Sequence, residues 1–173
     1  MHDRLTDTLP AWRIVPPEPA ERLLAAYRAA EAEFGIPWRY LAAINLVETG
    51  LGRIRGTSIA GAQGPMQFLP STWAAYGGGG DINDTEDAIR GAARYLAANN
   101  GMADIAHALY RYNHSNRYVL GVRIYADLIA EHERAFLGFY NWGVWYATTT
   151  GDVYLPVGYE QDTRIPVADY RPS

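Results

Sequence analysis

Glu48 is the residue around which a chemistry can be built. Leu41, Ile44 and Glu48 follow one another at spacings of three and four, so they share one face of any helix that contains them, the face that carries apolar side chains inward. A carboxyl carried in with them loses water. Desolvation disfavours its charged form, raises its pKa and leaves it partly protonated near neutral pH, the state a general acid requires. The alternative is that Glu48, close to a helix end, turns outward and bonds to solvent or to a nearby cation such as Arg53. The segment that follows, GLGRIRGTSIAGAQGPMQFLP, bears on the choice. Gly56, Gly61 and Gly64 permit turns and close backbone approach. Gln67 is a long amide side chain among small and apolar neighbours, able to hold a carboxyl or a sugar acetamido group by paired donor and acceptor bonds.

Those groups need a scaffold, and the pattern on both sides of them is helical. Leu23, Tyr27, Ala30 and Phe34 line one face of a helix closed by Gly35 and Pro37, and a second helix runs from Trp38 to about Thr49 with Leu41, Ile44 and Val47 inward. After the glycine-rich loop, Ser71 or Thr72 is placed to cap a short helix through Trp73 and Tyr76, which the glycines at 77–80 end. Asp84 and Asp87 read as a capping box opening a helix through Ala88, Ala92, Tyr95 and Leu96 that stops near Gly101. Ile105, Leu109 and Tyr112 mark another helix, and Tyr118, Val122, Tyr125 and Ile129 a long last one. Beyond Leu137 the period becomes alternating, which predicts two short strands joined by a turn around Thr150, Gly151 and Asp152. The expected class is mainly α with a small C-terminal β-hairpin. An isolated hairpin is marginal in water, so it should pack on the helical body. The organisation read from this pattern is an extended arm over 1–17, a helical domain over 18–136, and a hairpin and tail over 137–173 packed on the same domain.

Composition narrows the function. At 173 residues the chain fits one core and one cleft. All fifteen basic residues are Arg, scattered singly in a chain of net charge −4, so the concentrated basic surface that nucleic acid demands is missing. The absence of Cys excludes thiolate chemistry and Cys-ligated metals, and no apolar run approaches the roughly 18 residues of a membrane span. The opening residues MHDRLTDTLPAW carry no apolar stretch of a secretory signal.

The residues from Glu48 to Pro70 also form a motif. Glu48-Thr49, then Ser58, Gly61-Ala62, Gly64-Pro65-Met66-Gln67-Phe68-Leu69-Pro70, resemble in order and spacing the soluble lytic transglycosylase and goose-type lysozyme family. Asp87-Ala88-Ile89, Ala93, Tyr95-Leu96 and Tyr112-Asn113 extend the likeness, which covers roughly 34–130. The resemblance implies a lysozyme-like α-helical domain that cleaves peptidoglycan between N-acetylmuramic acid and N-acetylglucosamine. It implies Glu48 as the catalytic acid/base, and Gln67, Tyr112, Ser58, Met66, Asn113 and Thr49 as residues of the substrate cleft. Thr49 stands where the family usually has Ser, Pro65 where it has Leu or Tyr, and His114-Ser115 where Ala-Gly usually follows the Asn. His114 is then either a sugar ligand or an exposed turn residue.

Most glycosidases use two carboxyl groups, roughly 5 to 9.5 Å apart, and only one is obvious here. The resemblance implies that the substrate's own acetamido oxygen assists departure, after which its C6 hydroxyl, deprotonated by the same Glu, closes a 1,6-anhydro ring without metal or cofactor. A hydrolytic lysozyme would need a second carboxylate, for which Asp81, Asp84 and Asp87 are the candidates. A non-catalytic wall-binding domain would instead stack sugars on Trp38, Trp73, Trp142 and Trp145. A calcium loop at Asp81-x-Asn83-x-Thr85 lacks the Gly and the distal Glu of such sites. Trp142, Trp145 and Tyr154 either lengthen the sugar cleft or seal the core. The expected partner is the glycan strand of peptidoglycan, met by a monomer with no identified protein partner. The expected location is outside the cytoplasm, with a leader removed.

Overall fold

The computed structural model describes residues 5–58, 60–132 and 134–171; the first four residues of the expected arm and the last two of the expected tail lie outside them. Helix α1 (Ala20–Phe34) and helix α2 (Trp38–Thr49) start after prolines and stop at Gly35 and Gly50. On α2 the burial goes beyond one stripe. Every residue from Tyr40 to Asn45 is buried, whereas Val47 is only half-buried. Alanines at 42 and 43 let neighbours close in on sides that an amphipathic helix leaves wet, and α2 becomes the axis of the domain.

Around it lie α3 (Pro70–Tyr76), α4 (Thr85–Ala98), α5 (Ile105–Tyr112) and α6 (Asn116–Glu131), with α1, α4 and α6 against α2. Leu23, Tyr27, Leu41, Ile44, Ile89, Leu96, Leu109 and Val122 fill the shared core. Two expected caps differ. Helix α3 is opened not by Ser71 or Thr72 but by Leu69, with Pro70 at its first position, where a missing N–H costs nothing. Asp84 accepts from the amides of Glu86 and Asp87, but Asp87 does not return the bond; its carboxylate takes the amide of Asp81 at 2.9 Å.

The helical period also runs further than expected. Phe136, Phe139 and Tyr140 recur at three and four, and helix α7 (Arg134–Tyr140) buries both Phe rings, so residues 138–140 are helical, not strand. Strands β4 (Val144–Thr148) and β5 (Gly151–Leu155) then form the hairpin. Thr148 pairs with Gly151 and Ala147 with Asp152, which leaves Thr149 and Thr150 as the turn and places Gly151 and Asp152 in the strand.

The hairpin has a wet and a dry side: Val144 and Tyr146 are buried, and Trp145 is exposed, as the two-residue period of a strand requires. The dry side meets a second small core with Leu9, Ile14, Leu155 and Tyr159. The segment before α1 supplies part of it. Thr8–Leu9 (β1) pairs with Ile165–Pro166 (β6), and Arg13–Ile14 (β2) with Ile54–Arg55 (β3) of the glycine-rich loop. Arg53 links the helical body to the segment before α1: its guanidinium donates to the carbonyls of Gly50 and Tyr140, and its own carbonyl accepts from the Val15 amide at 3.0 Å.

Candidate active site

Glu48 lies in the last turn of α2. The residue is half-buried, shielded from bulk water yet open to a ligand, and burial pushes its carboxyl up to about 7 against the opposing influence of the Tyr118 hydroxyl. Arg53 does not pair with it, since its guanidinium is spent on backbone carbonyls. Tyr118, one turn into α6, presents its hydroxyl to the carboxyl as a hydrogen-bonding neighbour. That hydroxyl is buried and meets no partner at full hydrogen-bond geometry among the described residues, so a donor stands ready beside the acid. Tyr112, at the end of α5, stacks parallel to Tyr118 with ring centroids 6.4 Å apart. Burial first, and the Glu48 charge second, hold both phenols well above the ordinary tyrosine pKa, which keeps them protonated donors.

The glycine-rich loop is fastened beneath this cluster through its carbonyls. Asn45, wholly buried one turn before Glu48, accepts from the Tyr27 hydroxyl at 2.6 Å and donates to the Pro65 carbonyl at 2.9 Å. Thr49 donates to the same carbonyl at 2.6 Å and accepts from the Gly52 amide at 3.1 Å. Tyr112 donates to the Met66 carbonyl at 2.7 Å. The loop returns on itself where Gln63 and Phe68 exchange backbone bonds of 2.8 and 2.9 Å. Gly64 is irreplaceable there, because at its φ of 74° an added Cβ would stand 1.9 Å from the Ile82 carbonyl oxygen. The turn leaves Gln67 with a φ of 52°, an uncommon backbone state for a residue with a side chain and one that clusters at functional sites. Its amide nitrogen donates to the Gly64 carbonyl at 3.0 Å.

Of the residues expected in the cleft, Glu48, Tyr112 and the loop carrying Gln67 are thus brought together. The Met66 and Thr49 side chains are buried, and Thr49 holds the Pro65 carbonyl from within the core. Ser58 is half-buried in its own loop, where its hydroxyl accepts from the Ala62 amide at 2.9 Å. Asn113, half-buried, ends α5. His114 is exposed with its ring against Tyr110, and Ser115 caps α6 by accepting from the Tyr118 amide. Asn45 and Tyr118 are site residues that pattern analysis overlooked.

The candidate second carboxylates are occupied locally. Asp81 accepts from Asn83, Asp84 from Glu86 and Asp87, and Asp87 from Asp81, and no carboxylate is among the groups that shift Glu48. Among the described residues, no three His, Cys, Asp or Glu side chains gather to hold a metal. Of the four Trp residues considered as sugar platforms, Trp38 packs on Phe136 and Trp73 on Phe68, while Trp142 and Trp145 are exposed on the hairpin side.

The sequence signature described as the transglycosylase SLT domain matches residues 25–122, which is more than half of the chain and holds the whole cluster from Asn45 to Tyr118. The chain belongs to the SLT transglycosylase family. Its enzyme class is therefore lytic transglycosylase, acting on peptidoglycan outside the cytoplasm. The 2.1 Å structure of Escherichia coli lytic transglycosylase Slt35 in complex with calcium is similar to this SLT protein with a TM-score of 0.55 and 17% sequence identity, over 64% of this chain and 72% of that one. The shared fold is the lysozyme-like helical one. No curated protein matches. No helix among the described residues is long and apolar enough to cross a membrane. The β4–β5 hairpin lies beyond the family segment.

Proposed function

We propose that this SLT protein cleaves the β-1,4 bond between N-acetylmuramic acid and N-acetylglucosamine, leaving 1,6-anhydro-muramyl ends, with Glu48 as its single acid and base. Protonated Glu48 gives its proton to the glycosidic oxygen as the bond to the muramic C1 breaks, and the acetamido oxygen of the same sugar closes on C1. The carboxylate then takes the proton of the C6 hydroxyl as that oxygen displaces the acetamido oxygen. Glu48 is reset, and no water is consumed. One group must hold a proton and then accept one, which favours a pKa close to the working pH.

The observation that carries this reading is the desolvated Glu48 carboxyl, raised to about 7 with no carboxylate acting on it. A Tyr118 hydroxyl without a full bond is available to steady the ionised form. Gln67 and Tyr112 line the approach in this reading, and Asn113 borders it.

Muropeptide mass analysis tests it. Purified peptidoglycan treated with the wild type is expected to yield anhydro ends, each one water lighter than the reducing end a hydrolase leaves, and Glu48→Gln is expected to yield none. Reducing ends from the wild type, or anhydro ends from Glu48→Gln, would overturn the assignment.

A further inference from the structure

We propose that the cavity between α6 and the β4–β5 hairpin is a subsite for one N-acetylated sugar ring of the glycan strand, continuing the path past Glu48. The proposal rests on the enzymatic reading above for its substrate, but its evidence is separate. The cavity measures about 390 Å³ and is walled by Leu46, Val47, Tyr118, Tyr125, Trp142 and Trp145, a size and apolar character in the usual range of small-ligand sites.

Continuity comes first. Val47 immediately precedes Glu48, and Tyr118 belongs both to the cavity wall and to the surroundings of the Glu48 carboxyl. In this proposal a strand held at the acid runs on past Tyr118 into the cavity.

The aromatic wall is ordered yet open. Trp142 is gripped edge-on by Phe139 at 4.8 Å and by Tyr125 at 6.1 Å, and still 51% of it is exposed. Trp145, 64% exposed, leans on Tyr154 across the hairpin at 5.2 Å. Large aromatic rings fixed by packing and left half uncovered offer electron-rich faces, and a pyranose ring has a face of polarised C–H groups to lay against them. Arg53 also borders the cavity, but its guanidinium is committed to Gly50 and Tyr140. An apolar wall with its cation already engaged suits a sugar ring better than the charged peptide stem.

Gly121 supplies the third observation. It sits inside the sixteen-residue helix α6, where glycine is destabilising relative to alanine, and a Cβ added to it would meet nothing within 4 Å. No neighbour requires a glycine there. Its bare Cα lines the cavity and keeps that space empty.

The test is titration calorimetry with the β-1,4-linked hexamer of N-acetylglucosamine, using Glu48→Gln protein so that nothing is consumed. Into this background go Trp145→Ala, which removes a surface ring, and Gly121→Leu, which fills the cavity from a position with room for it. Each is expected to weaken hexamer binding about fivefold to tenfold, with Trp145→Phe staying within about threefold of the parent, and with melting temperatures that show the variants folded. Unchanged affinity in either folded variant, or no hexamer binding by the parent, overturns the subsite even where the wild type releases anhydro ends. The predicted losses, found with a wild type that releases none, would uphold the subsite and sink the enzymatic reading instead.

Discussion

Replacing Glu48 by Gln should stabilise the fold while abolishing turnover, and the gain should depend on pH in a defined way. The folded carboxyl ionises at about 7 instead of the ordinary 4.5 because burial disfavours its charge. At about 1.4 kcal/mol per pH unit, that difference amounts to about 3 kcal/mol. The folded state therefore holds its proton where the unfolded chain has lost it. By linkage, stability from this group is complete below about pH 4.5, drains away as pH rises, and is gone above about 7, where both states are ionised and the folded one bears the cost of a buried charge. Gln cannot ionise. Urea denaturation of wild type and Glu48→Gln between pH 4 and 8 should give nearly equal stabilities at the acidic end, and an advantage for Gln that grows to roughly 2 to 3 kcal/mol at the alkaline end. A difference that stays flat across that range would refute the reasoning, since it would mean that Glu48 titrates like a solvated carboxyl.

Three further outcomes follow from the contacts under the site. Thr49→Val strips the Pro65 carbonyl and the Gly52 amide of a buried partner and should cost about 1 to 3 kcal/mol in urea, whereas Thr49→Ser keeps the hydroxyl and should stay within about 1 kcal/mol of wild type. Gly64→Ala drives a methyl into the Ile82 carbonyl at a φ that disfavours it; a loss of about 2 kcal/mol or more and a collapse of peptidoglycan turnover are expected, seen by thermal melting and muropeptide release. Asp84→Ala removes the cap of α4 and should cost about 1 kcal/mol with turnover retained well below the melting temperature; loss of all turnover there would restore Asp84 as a second catalytic carboxyl.

How much of this could be read from the sequence follows from the range of each interaction. Helices α1 and α2 were legible because their periods are local and their ends are marked by Pro and Gly. Helix α7 was not, because Phe136, Phe139 and Tyr140 begin a helical period inside a run whose Tyr, Trp and Val content favours strand. The hairpin turn slipped because Gly151 and Asp152 are turn-type residues that here pair across the ladder. Thr8–Leu9 meets Ile165–Pro166 at a sequence distance that no local period can report. In the site, Glu48 was visible as a carboxyl on an apolar stripe. Tyr118 was not, since a Tyr on such a stripe reads as core, and its buried hydroxyl becomes informative only beside a named acid. Asn45 did leave a trace, as the polar residue within the otherwise apolar stretch from Leu41 to Val47, four residues before Thr49. Met66 and Thr49 show the limit of motif matching: it locates residues together without saying which atoms face the cleft.

The pairing of Thr8–Leu9 with Ile165–Pro166 brings both ends of the described chain to one spot on the surface. Anything joined before or after them would hang from a single anchorage. Tension on such a tether would load the β1–β6 ladder and the neighbouring bridge between Thr6 and Thr148 before it reached α2.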